Sequence, residues 1–138
     1  TYIGLGKTSI DTIVSGIAAE QGRVVKPDQF SDKGYFYRSD QFSFAQIGVP
    51  AMYLDTGNDF VDRPPGWGAE QLNHYTDVNY HQPSDEYDDS WNFEGMISDA
   101  QLGFWAGLAI ANADEMQTWT EGDEFEAARL KALDAANP

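Results

Sequence analysis

The 138-residue chain contains no cysteine and only two histidines, His74 and His81. Without cysteine there are no disulfides and no thiolate metal sites, so any metal must be held by His, Asp or Glu. Cations are scarce as well: 8 Lys and Arg stand against 23 Asp and Glu, a formal net charge of −15. Binding of nucleic acid or of an anionic membrane surface needs clustered Lys and Arg, and this composition argues against both. An acidic surface serves chiefly solubility. No long apolar run is present. The longest, Leu102 to Ala111, is broken by Gly103 and Gly107 and falls short of the roughly 20 residues of a membrane span. No signal peptide is visible, and the chain begins at Thr1 rather than Met, so upstream sequence is expected to have been removed.

What remains is an ordinary folded composition, 41% hydrophobic and 14% aromatic, which is too apolar for intrinsic disorder. The length suits a single domain, 1–138, without internal repeats. After a short entering segment, Thr8 or Ser9 can cap a helix carrying Ile10, Ile13, Val14, Ile17 and Ala18 on one face, stopped by Gly22. Arg23-Val24-Val25 and Tyr35-Phe36-Tyr37 read as short strands. Ser39 or Asp40 can cap a brief helix closed by Gly48. Val49 to Leu54 then reads as a strand buried on both faces, the rhythm of an α/β layered fold. Asp55 to Asp89 reads as a long irregular loop, ordered by Phe60, Trp67, Tyr75, Tyr80 and Tyr87. Asn92 can cap the longest helix, whose stripe from Phe93 through Met96, Ile97, Phe104 and Leu108 is widened by Leu102 and Trp105. Such width predicts a helix covered on most sides. Asp123 with Glu126 forms a capping box for a last helix.

Several chemistries lack support. The acidic runs Asp55 to Asp59 and Asp85 to Asp89 lack calcium-loop spacing and its terminal Glu. Gly4-Leu5-Gly6-Lys7-Thr8 lacks the first half of a phosphate loop, and neither Ser39 nor Ser84 lies in a nucleophile elbow. His74 has no partner at helical metal spacing. The stretch Asn79 to Glu86 is more suggestive, because His81 follows Tyr80 in a polar loop. A neutral imidazole is the commonest metal ligand, and a neighbouring phenol can donate to a polarised carbonyl. From the residues alone, a histidine bonded within its own loop explains the pair better.

Two segments change that balance. Tyr37-Arg38-Ser39-Asp40-Gln41-Phe42-Ser43-Phe44-Ala45-Gln46-Ile47-Gly48-Val49-Pro50 resembles the R-S-D-H-x-x-F-x-x-x-G-x-P segment of di-zinc aminopeptidases. Tyr80-His81-Gln82-Pro83-Ser84-Asp85 is similar to their Y-H-x-x-x-D segment, in the same order. That family includes secreted bacterial leucyl aminopeptidases, glutamate carboxypeptidases and glutaminyl cyclases. The resemblance covers nearly the whole chain but only the C-terminal portion of the family's catalytic domain. It implies a partial three-layer α/β/α sandwich with a mixed sheet. It also implies zinc-dependent removal of N-terminal residues from peptides, and an extracytoplasmic location. His81 would be a zinc ligand and Tyr80 a hydrogen-bond donor to the substrate carbonyl, while Arg38 and Asp40 would act in support or toward the substrate. Gln41 departs from the histidine usual there.

The resemblance also exposes a gap. Two zinc ions need a bridging carboxylate and about three protein ligands each, and no histidine precedes Arg38. The chain alone is therefore expected to be inert, a C-terminal part of a larger peptidase, with an exposed sheet edge that favours self-association. The alternative is a non-catalytic, peptidase-like protein-binding module. An acidic, calcium-dependent structural domain is a third class.

Overall fold

Burial of alternating residues on two short strands divides the molecule. The structure, a computed structural model, describes residues 1–136, so Asn137 and Pro138 of the expected 1–138 unit lie outside the described residues. Strand β1 (Tyr2–Ile3) pairs antiparallel with β2 (Tyr53–Leu54), Tyr2 opposite Leu54 and Ile3 opposite Tyr53. Successive side chains on a strand point to opposite faces. Tyr2 and Leu54 accordingly join an apolar cluster with Ile10, Val14, Ala106 and Met52, and Ile3 and Tyr53 join another with Phe36, Ala45, Trp119 and Phe125. Apolar packing thus lies on both faces of a sheet that is only two strands wide.

The first cluster is built by helix α1 (Ile10–Glu20), which buries Ile10, Val14 and Ala18 at four-residue spacing. Its expected caps act differently. Ser9 Oγ donates to Gln117 Oε1 at 2.8 Å and accepts from the Thr118 N–H at 3.0 Å, which ties the start of α1 to a distant segment. Gly22, at φ 71°, lets the chain leave the helix as expected. The strand expected at Arg23 to Val25 does not form. Val24 is exposed, and the segment meets β1 only later, where the Tyr2 N–H donates to Lys26 O and an isolated parallel bridge joins Tyr2 to Pro27. Proline has no N–H with which to extend a ladder.

The second cluster holds a further correction. Tyr35–Arg38 is a 3-10 helix rather than a strand. Phe36 anchors it in the core, and the Gln41 side-chain amide donates to Phe36 O at 2.8 Å. Tertiary contacts here override aromatic strand propensity. Helix α2 (Gln41–Gln46) follows and ends at Gly48, φ 86°, where a Cβ would run into the backbone of Ala128 and Arg129. The Gly48 carbonyl accepts the indole N–H of buried Trp119 at 3.0 Å. Of the strand expected from Val49 to Leu54, only the last two residues pair, and they are half-buried rather than enclosed.

The expected loop from Asp55 to Asp89 contains helix α3 (Trp67–Val78), with Gly68 packed against the Asn58 carbonyl and the Phe60 ring. Helix α4 (Glu94–Ala111) starts where expected, Asn92 Oδ1 accepting the Glu94 N–H at 2.8 Å. It packs on α1 through Ala106, and an Arg23–Asp99 ion pair and a bond from the Gln21 amide to Ser98 O tie it to the segment just after α1. Its covering is not as expected. Only Leu102 and Ala106 are buried, while Met96, Ile97, Phe104, Trp105 and Leu108 are exposed. The capping box expected before helix α5 (Glu126–Ala136) does not close reciprocally: Asp123 Oδ1 accepts the Phe125 N–H, and Glu126 Oε2 accepts the Gly122 N–H rather than that of Asp123.

Candidate functional site

The 3-10 helix, β2 and α3 converge on one cleft of about 400 Å³. Tyr35, Arg38 and Ser39 line it from the 3-10 helix and its exit, with Lys33 just before. Tyr53 and Asp55 face it from β2 and the residue following it. Leu72, Tyr75 and Thr76, at helical spacing on α3, form the opposite wall, and Tyr80 closes it two residues past the end of that helix. A wider groove of about 650 Å³, beside Thr1, Arg23 and Gln101, is lined by none of the expected site residues.

Tyr80 and Arg38, some forty residues apart in sequence, therefore line one cleft. His81 lies beside the cleft. Its ring stacks on that of Tyr80, centroids 3.9 Å apart and planes 20° apart, so phenol and imidazole are held side by side. Its φ of 58° is left-handed, a conformation shared among the described non-glycine residues only by Asp62. Such backbone is uncommon for a non-glycine residue and clusters at functional sites. Asp40, exposed at the start of α2, lies outside the cleft lining. Gln41, the position where the sequence departs from the motif it resembles, bonds the Phe36 carbonyl within the 3-10 helix and does not line the cleft.

Support for Tyr80 comes from α3. The Tyr75 ring meets it edge-on at 6.1 Å, and the Tyr75 hydroxyl donates to Asp85 Oδ2 at 2.8 Å. That hydrogen bond to a carboxylate pushes the Tyr75 phenol above its ordinary range. Ser84 Oγ donates to Val78 O, closing the Tyr80–Asp85 turn onto the end of α3.

Zinc does not fit these residues alone. Among the described residues no three His, Asp or Glu gather where they could hold a metal ion, and exposed His81 offers one ligand of the three required. The acidic runs are engaged otherwise, Asp59 with Lys26, Asp85 with Tyr75 and Asp88 with Ser90. The phosphate-loop-like segment is likewise occupied, since Lys7 Nζ bonds Asp123 and Glu124.

Sequence reading missed Tyr35, Tyr53 and Tyr75 of the cleft wall, and Lys33 and Asp55 with them. Leu72, Tyr75 and Thr76 at i, i+3 and i+4 were the available signal for a helical wall.

The structure thus combines helices with a small antiparallel sheet and brings an arginine and a tyrosine to one cleft, with a histidine stacked on the tyrosine. The family model of Peptidase family M28 matches residues 2–104, and the chain belongs to that family. No curated protein and no solved structure matches it.

Proposed function

We propose that this chain contributes the substrate side of a zinc-dependent exopeptidase that removes N-terminal residues from peptides. The observation that carries this reading is the juxtaposition of Arg38 and Tyr80 in one cleft, with His81 stacked on Tyr80. The Tyr80 hydroxyl donates a hydrogen bond to the scissile carbonyl oxygen and strengthens it as negative charge develops there. Arg38 orients the substrate, Asp40 supports the segment that carries it, and His81 supplies one ligand to a metal whose other ligands come from elsewhere. The two-stranded sheet, packed on both faces, is the edge of a three-layer α/β/α sandwich. By itself the chain is inert, and the complete enzyme works outside the cytoplasm.

The incomplete ligand set also favours a second reading, a peptidase-like module that binds proteins without cleaving them. Activity separates the two. In protein made from the complete reading frame, hydrolysis of leucyl-p-nitroanilide is expected to require zinc and to vanish in His81→Ala. In Tyr80→Phe it is expected to fall by about a hundredfold to a thousandfold. Unchanged activity in His81→Ala rejects the assignment, and no activity in the wild type favours the module. The 138-residue chain alone is expected to show none, with or without zinc.

A further inference from the structure

In a chain with 23 carboxylates and only 8 Lys and Arg, each cation has acidic groups in excess to pair with. Lys7, Arg23 and Lys26 are paired. Lys33, Arg38, Arg63, Arg129 and Lys131 form no ion pair among the described residues, and of these Lys33 and Arg38 both line the cleft that holds Tyr80. The Lys33 ammonium sits 4.5 Å over the Phe30 ring, a contact that leaves its N–H donors free. Arg38 makes one long bond, 3.4 Å, from Nη1 to the Lys33 carbonyl, and four of the five donors on a guanidinium stay open. That bond also links the two cationic residues.

We propose that this pair makes the cleft selective for peptides bearing a carboxylate, a specificity that rests on reading the cleft as the peptide site. A guanidinium and an ammonium together offer charge-assisted bonds that a neutral amide cannot match. Asp55, whose Oδ1 accepts the Thr56 N–H at 2.7 Å, lines the same cleft. Its charge repels a simple anion and suits a ligand that also carries an amino group. The ligand is thus a peptide with a free amine and a carboxylate, rather than a phosphate or an inorganic anion.

The test needs binding only. The 138-residue chain is titrated calorimetrically with three dipeptides: leucyl-glutamine amide, leucyl-glutamic amide with a side-chain carboxylate, and leucyl-glutamine with a terminal one. At least one carboxylate-bearing peptide is expected to bind about tenfold more tightly than the neutral one. The arm that gains shows which carboxylate is read. The preference is expected to disappear in Lys33→Gln/Arg38→Gln, whose circular dichroism is unchanged, and to persist in Lys131→Gln on α5. Equal binding of all three peptides, weakened throughout by Tyr80→Phe, overturns the carboxylate selection and leaves the peptide cleft standing. Preference that survives the double substitution overturns the roles of Lys33 and Arg38. Absence of binding by every peptide overturns both the selection and the peptide site.

Discussion

His81 combines a chemical opportunity with a backbone penalty. For an L-residue the left-handed conformation costs about 1–2 kcal/mol, and glycine alone adopts it freely. At φ 58° the imidazole is thus retained against local stability. His81→Gly is therefore expected to be more stable than His81→Ala by about 1 kcal/mol in urea unfolding, although neither keeps the ring. Equal stability of the two variants would contradict a left-handed residue 81. Tyr2 and Lys7 pose a different question, about pH. Burial pushes the Tyr2 phenol well above its ordinary value, its bond with Thr8 Oγ1 only partly offsetting this. Burial alone would lower the Lys7 ammonium, but bonds to Asp123 and Glu124 outweigh it and hold the ammonium above its usual range. Both folded values are raised, so both contributions are complete below the unfolded values near pH 10 and are lost as pH rises through the folded ones. Thermal unfolding followed by circular dichroism is expected to be flat between pH 7 and about 9.5 from these two groups and to fall above about pH 10. Tyr2→Phe flattens part of that fall. A midpoint unchanged to about pH 11 would reject the buried phenol.

Helix α4 separates what a pattern predicts from what packing uses. Ala106 is fully buried against α1, whereas Phe104, two residues away, is 62% exposed. Ala106→Leu is accordingly expected to lower unfolding stability by about 1–3 kcal/mol through overpacking. Phe104→Lys is expected to change it by less than about 0.5 kcal/mol. A reversal of that order, read from chemical denaturation, would mean that the opposite face of α4 is the packed one. The limits of sequence reading are visible in the same helix. Its start was legible because Asn92 carries the capping chemistry in its own side chain, and α1 because its buried residues recur every fourth position. Which stripe of α4 meets a partner depends on residues far away in the chain, so an apolar width of nearly the whole helix was read as burial. Helix α3 was hidden for the converse reason. Its side chains are mostly polar and solvated, with only Gly68 buried, so little apolar periodicity marks it. At the cleft, Arg38 and Tyr80 and the neighbouring His81 were singled out through motifs. Lys33 and Asp55 were not, because only the fold brings them to the cleft.

For the whole molecule two long-range terms oppose each other. A formal charge of −15 on 138 residues makes copies repel, and the repulsion weakens as salt shortens the screening length from roughly 30 Å at 0.01 M to 3 Å at 1 M. Against it stands the outer face of α4, where Ile97, Phe104, Trp105 and Leu108 are exposed together. Apolar faces of this kind favour association once charge no longer keeps copies apart. That face carries little charge of its own, since Asp99 is turned to Arg23 and the segment from Gly95 to Ala111 has no other ionisable residue. Association through it would therefore strengthen with salt, whereas association through opposite charges would weaken. Sedimentation velocity is expected to give a monomer in about 0.01 M salt and larger species in about 1 M, with Phe104→Lys restoring the monomer at high salt. A monomer under both conditions would show that the exposed face is too small or too curved to pair. Association that Phe104→Lys leaves intact would shift attention to the outer edge of β2, where backbone groups rather than side chains make the contact.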